Sequence, residues 1–135
     1  MDEDKIIMDN EKPGNKPAEN IIDADDKISI DDFRKLDIRV GKIITAEPHK
    51  LARKPMYKLT VDLGSELGQR TIVAGIAADY TQDELLNKLV VCIVNLQPRS
   101  IAGIESQGML LAALDSDKIS LIEPDRELNP GSKIS

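Results

Sequence analysis

The apolar positions of this chain recur mostly at every second residue, the period of a half-buried strand. In "LDIRVGKIIT", Leu36, Ile38 and Val40 alternate with Asp37 and Arg39 as far as Gly41, after which Ile43 falls on the opposite parity. A glycine at such a phase slip predicts a β-bulge, a common way to bend a strand round a small barrel. With the bulge in place, Arg39 and Lys42 both face outward. "MYKLTVDLG" alternates cleanly, with Tyr57, Leu59, Val61 and Leu63 inward and Lys58, Thr60 and Asp62 outward. "RTIVAGI" reads as a third strand. In "TQDELLNK", Thr81 is followed three residues later by Glu84, the capping box that opens a short helix. "LVVCIVNL" is a β-branched run buried on both faces, and "MLLAAL" is a fifth strand. "KISLI" and "SKIS" are short enough to add edge strands. Upstream, Ser29 and Asp32 cap one helical turn, with Phe33 and Leu36 expected to anchor it to the core.

Three strands, one short helix, then two strands is the order of a five-stranded OB-fold barrel. The expected class is therefore all-β, with the helix between strands three and four closing one end and small extra strands at the C-terminus. Residues 30–135 form this domain. Residues 1–29 combine Pro, Gly, Asn and charge with little apolar periodicity, the composition of a flexible acidic tail.

Charge sharpens that division. Residues 1–29 carry nine acidic residues against four lysines, which accounts for most of the formal net charge of −6. Between Arg34 and Lys58 the balance inverts, with eight basic residues and two acidic ones. A basic stripe on a near-neutral body is compatible with phosphate contact and equally with a solvated face. The N-terminal stretch lacks the basic and apolar regions of a signal peptide, and no apolar run is long enough to span a bilayer; no membrane association and a cytoplasmic location are expected. Cys92 is the only cysteine and lies within an apolar run, where a buried small hydrophobe is the simplest reading.

Catalytic chemistry is poorly supplied. One His and one Cys give no nucleophilic triad and no metal cluster, and no glycine-rich phosphate loop is present, so a binding module without cofactor or metal is expected. The aromatics are Phe33, Tyr57 and Tyr80, and the first two fall on core-facing phases. That leaves little for the base-stacking platform of single-strand binders. Recognition of nucleic acid here has to rest on charge, loop hydrogen bonds and shape, which suits a folded RNA. The segment "NLQPRSIAGIESQGMLLAA" joins strands four and five, where OB-folds build part of their ligand surface. Pro98 stiffens its start, Gly103 and Gly108 free the backbone, Asn95, Ser106 and Gln107 offer hydrogen bonds, and Arg99 offers a cation. An ordinary barrel loop explains the same glycines, and residue chemistry alone leaves the two readings level.

The stretches "FRKLDIRVGKIITAEPH", "YKLTVDLG", "RTIVAGIAADYTQDELLNKLVVCIVNLQPRSIAGIESQGMLLAA" and "PDRELNPGSK" resemble the tRNA-binding domain family, from about Ile30 to the C-terminus. That family includes the C-terminal domain or separate beta subunit of methionyl-tRNA synthetase, stand-alone tRNA-binding proteins and CsaA-type chaperones. The resemblance implies binding of tRNA by shape, as an accessory partner of a catalytic methionyl-tRNA synthetase chain, and a homodimer. It carries RNA contact onto Arg39, Lys42, Asn95, Arg99, Ser106, Gln107 and Met109, although the first residue of a strand, as Met109 is, is usually core. Where synthetase-type members read close to "HPNADKLY", this chain has "HKLARKPMYKL", similar to the chaperone branch; the change adds Arg53 and Lys54. Ala74 also replaces a serine common in the family. The intact Ser106-Gln107-Gly108-Met109 element favours tRNA over the alternative, a CsaA-like chaperone for unfolded or exported peptides. The apolar segments Ile119 to Ile122 and Ile134, read as unpaired edges, are a second reason to expect the homodimer.

Deleting residues 1–29 is expected to leave cooperative unfolding intact and to tighten RNA binding by removing negative charge near the phosphates. Loss of the cooperative thermal transition on truncation would show that the segment contributes to the core.

Overall fold

The computed structural model describes residues 26–135, so residues 1–25 of the expected acidic tail lie outside the described residues. The chain divides after Phe33 into two units. In the first, Ser29 caps the short helix α1 (Ile30–Arg34): its hydroxyl accepts from Asp32 N–H at 3.0 Å, as the sequence predicts. The second unit, residues 34–135, is the β body.

The body is built on β1 (Ile38–Pro48), an 11-residue strand long enough to serve two neighbours. Its second half pairs with β2 (Tyr57–Asp62), which pairs in turn with β3 (Gln69–Ala74) after the single turn α2 (Gly64–Leu67). The helix α3 (Gln82–Leu85) follows, opened by Thr81 and Glu84 with both bonds of the capping box in place. Leu85 is its buried contact, and Gln82 Nε2 ties it to Ala46 O at 2.6 Å. Next, β4 (Leu89–Ile93) pairs with the first half of β1, from Ile38↔Ile93 to Lys42↔Leu89. A hairpin, β5 (Arg99–Ile101) and β6 (Ile104–Ser106), precedes the two-residue β7 (Met109–Leu110), which pairs with β4. The sheet order β3-β2-β1-β4-β7 is the five-strand path expected of the barrel, with a helix between the third and fourth strands.

The core follows the alternation in the sequence. Leu59 and Val61 are completely buried on β2 and Leu63 just beyond it, with Ile43 from β1, Ile72 from β3, and Val90 and Cys92 from β4. Burial pushes the Cys92 thiol up to about 12, so it is protonated and inert, as a packed apolar side chain should be. Val91 and Ile93 are buried on the other face of β4, confirming a strand covered on both sides. Tyr57 is buried with its hydroxyl donating to Tyr80 O at 2.8 Å, and Tyr80 OH accepts from Leu121 N–H at 2.9 Å. Leu36 departs from expectation: it is exposed, not an anchor.

The bulge also lies elsewhere. The β1–β4 ladder is regular through Gly41, and the register shift falls between Ile43 and Thr45 against β2. Because residues 38–42 form an unbroken ladder, Arg39 and Lys42 project from opposite faces of β1, not from one outward face. Gly41 is required for a different reason: a Cβ there would sit 2.6 Å from Val61 Cγ1 and 3.0 Å from Leu63 Cδ2. The core side of β1 has no room for a side chain at this position.

The C-terminal edges are paired. The "MLLAAL" run breaks at Leu111, and β8 (Ala112–Asp115) turns into a hairpin with β9 (Lys118–Leu121), whose Leu121 enters the core. The final strand β10 (Lys133–Ile134) lies along the start of β1, and Gly131 and Ser132 extend the contact through bonds with Val40. Unpaired edges at Ile119–Ile122 and Ile134 are therefore no basis for association. Among the described residues, no helix is long and apolar enough to cross a membrane.

Gly41→Ala is expected to destabilise the body by about 1–3 kcal/mol through overpacking against Val61 and Leu63. Chemical denaturation checks it, and a midpoint equal to the parent's would show that the core has slack at this point.

Candidate nucleic-acid interface

The hairpin of β5 and β6 turns through Ala102 and Gly103, both at positive φ (47° and 89°), the conformation of a type I′ turn. Register places Arg99 opposite Ser106 and Ile101 opposite Ile104. The hairpin leans on β3, and here the barrel closes. Ser106, only 5% exposed, accepts from Val73 N–H at 3.0 Å and donates to Gly108 O at 3.4 Å. Gln107 N–H donates to Thr71 O at 2.8 Å, and its side-chain oxygen accepts from Thr71 N–H at 3.4 Å. Gly108, at φ 133°, then lets the chain pass Ile93 O, which a Cβ would approach to 3.0 Å. The Ser106 hydroxyl therefore points inward to seal the barrel, whereas the sequence suggested a solvent-facing donor.

Beside this seam lies a groove of about 670 Å³. Met109, on β7 opposite Ile93, is 44% exposed and forms part of its wall, which decides against a core role. Leu96, Ile101 and Met56 supply further apolar wall, and Arg99 and Gln97 are polar groups at its margin. None of the residues lining it is acidic. Met56 ends the loop 49–56 that also carries the exposed Arg53 and Lys54. That loop is held by the buried His49: its backbone N–H donates to Met56 O at 2.9 Å and its Nε2 to Ile101 O at 2.8 Å. One histidine thus fixes the basic loop to the hairpin.

The remaining candidates are placed elsewhere. Asn95 clamps the start of β1, its Oδ1 accepting from Asp37 N–H at 2.8 Å and its Nδ2 donating to Lys35 O at 2.7 Å. Arg39 is held between Asp37 at 2.7 Å and Glu66 at 3.0 Å and also reaches Gly131 O, tying the barrel end to the C-terminal segment. The Arg39 guanidinium in turn holds the Asp37 carboxyl below its ordinary range. Lys42, on the opposite face of β1, borders a separate small pocket with Asn87 and Asn129. The structure therefore gathers Arg99, Ser106, Gln107 and Met109, with Arg53 and Lys54 on the adjoining loop, and sets Arg39, Asn95 and Lys42 apart. Sequence reasoning missed Met56, Leu96, Ile101 and His49. Their only shared signal is apolar or unpaired chemistry in loops, which becomes a site only when the hairpin folds back.

A small curled barrel with a cation-margined groove beside its strand 4–5 connection defines a ligand-binding module of the OB type. The chain belongs to the tRNA-binding domain family: the family model described as "Putative tRNA binding domain" matches residues 38–133. Among its relatives is a methionine–tRNA ligase of Archaeoglobus fulgidus, 49% identical over 109 residues, covering 81% of this chain and 16% of that protein. The corresponding ligase of Pyrococcus furiosus is 47% identical over 107 residues, 79% of this chain and 14% of that protein. The chain thus spans less than a fifth of the length of these ligases. Among solved structures, the CsaA chaperone protein from Picrophilus torridus superimposes with a TM-score of 0.77 and 39% identity, covering 81% of this chain and 100% of that one. A MetRS related protein from Pyrococcus horikoshii gives a TM-score of 0.73 and 38% identity, covering 81% and 98%. Both branches that the sequence resembles are represented.

Ser106→Ala is expected to lower stability by about 1–3 kcal/mol, because it leaves the Val73 N–H buried without an acceptor. Met109→Ala, at a half-exposed position, should change stability by less than about 1 kcal/mol. Thermal unfolding of the two variants checks both; the reverse order would place Met109 in the core and Ser106 in solvent.

Proposed function

We propose that this chain is a non-catalytic tRNA-binding protein that recognises folded tRNA by shape and backbone, acting in the cytoplasm as an accessory subunit beside a catalytic methionyl-tRNA synthetase chain. The observation that carries this reading is exposed Arg99 in the lining of a groove with no acidic residue, beside a loop that reaches the groove through Met56 and carries the exposed Arg53 and Lys54. Among the described residues no carboxylate pairs with any of the three, so they stand available to phosphate, whereas Arg39 is already neutralised by Asp37 and Glu66. Arg39, Lys42 and Asn95 then act at a distance from the groove, Arg39 and Asn95 by holding the barrel end in shape. Tyr57 and Tyr80 are engaged with each other and with β9, which leaves the body without a stacking platform and fits recognition of a folded RNA.

The second reading, a chaperone for unfolded or exported peptides, is favoured by the apolar walls that Met56, Leu96 and Met109 give the groove. Homodimer formation is supported by β8, whose Ala112, Ala113 and Leu114 are exposed, Leu114 by 74%. Light scattering at micromolar concentration should give twice the chain mass, and a monomer mass would remove this part of the reading.

Filter binding of bulk tRNA, run beside an unfolded-protein probe, separates the two functions. Arg99→Ala should weaken tRNA binding and reduce the slope of log affinity against log salt by about one, the loss of one phosphate contact. If that variant binds tRNA like the parent and loses the unfolded-protein probe instead, the chaperone reading replaces the first.

A further inference from the structure

We infer that the groove beside the barrel seam takes one unpaired nucleobase of the bound RNA, with the flanking phosphates on Arg99 and the Arg53–Lys54 loop. The inference rests on the tRNA-binding reading and deepens it. The groove, about 670 Å³, lies within the range of roughly 300–1,000 Å³ typical of small-ligand sites, enough for a nucleotide but small for a helical element of RNA. Two of its walls are methionines, Met56 and Met109, from the basic loop and from β7. A polarisable thioether makes favourable contact with an aromatic face and adapts to rings of different outline. A purine and a pyrimidine are therefore both accommodated, which suits recognition with little sequence preference.

The polar groups of the floor favour a base over a peptide. The one proton of the Ser106 hydroxyl is committed to Gly108 O and its oxygen already accepts from Val73 N–H, so it offers no free donor to a peptide backbone. The open polar groups are at the margin, Arg99 and Gln97, where the edge of a seated base and its phosphates would lie. Charge agrees: an unpaired nucleotide brings a phosphate on each side, and two segments that line the groove carry cations, the hairpin with Arg99 and the 49–56 loop with Arg53 and Lys54, which His49 couples through Ile101 O. An unfolded polypeptide has no fixed negative charge at that spacing.

The full chain labelled with ¹³C-methyl methionine provides the test, because Met56 and Met109 are two of only four methionines. Bulk tRNA should shift both methyl signals upfield by the ring current of the seated base. A blunt RNA duplex with no unpaired nucleotide should bind more weakly and leave them in place. Met109→Ala should weaken tRNA binding about fivefold to tenfold, in line with the loss of a base-stacking contact, and leave duplex binding unchanged. If tRNA binds while both methyl signals stay still and Met109→Ala binds as the parent does, the groove assignment is overturned and tRNA binding stands. If an unfolded polypeptide moves the methyl signals while tRNA does not, the occupant is a peptide. If tRNA does not bind at all, both the inference and the reading beneath it fail.

Discussion

The N–H of Val73 lies on the edge of β3 where no complete strand arrives, and the buried hydroxyl of Ser106 accepts it at 3.0 Å. Two further bonds, between Gln107 and Thr71, finish the join. This short seam converts an open curled sheet into a barrel. It also fixes where the hairpin Arg99–Ser106 stands and where β7 begins, and so it sets the groove between them. A buried donor without an acceptor costs about 1–3 kcal/mol, and the serine that ends β6 supplies the acceptor with a single hydroxyl. The Ser-Gln-Gly-Met segment sets this geometry, and its Met109 is the half-exposed side chain in the wall of the groove.

The charges divide along the same line. Arg39, Asp37 and Glu66 form a network at the barrel end that ties β1 to α2 and the C-terminal segment, and Asn95 reinforces it by bonding on both sides of Leu36. That cation and that amide serve the fold. Arg53 and Lys54 sit on the 49–56 loop and Arg99 at the start of β5, all exposed, and His49 ties the loop to the hairpin. A surface that lacks aromatic platforms can still hold a nucleic acid when fixed cations flank an adaptable apolar slot.

Strand positions were legible wherever one face is buried, because alternation in "YKLTVD" and the β-branched run "LVVCIV" leave few alternatives. The capping box at Thr81 and Glu84 marked its helix for the same local reason. Gly41 marked a special backbone position, but the reason was a crowded core at Val61 and not a bulge, and a single sequence does not distinguish the two. The hairpin at 99–106 was missed because "RSIAGIES" has too few apolar residues to alternate and its turn carries Ala102 where Asn or Asp is usual. The inward direction of Ser106 and the clamp made by Asn95 depend on partners 33 and 58 residues away, contacts that no local pattern encodes. In the candidate site, residue types were therefore legible and their orientations were not.

Native-state hydrogen exchange at Val73 tests the seam most directly, since its amide has the Ser106 hydroxyl as its acceptor. This amide is expected to exchange as slowly as those in the β1–β4 ladder, because it opens only when the barrel opens. An amide at Val73 that exchanges as fast as those of exposed loops would contradict it: the barrel would then be open along β3, and the groove would have no fixed wall.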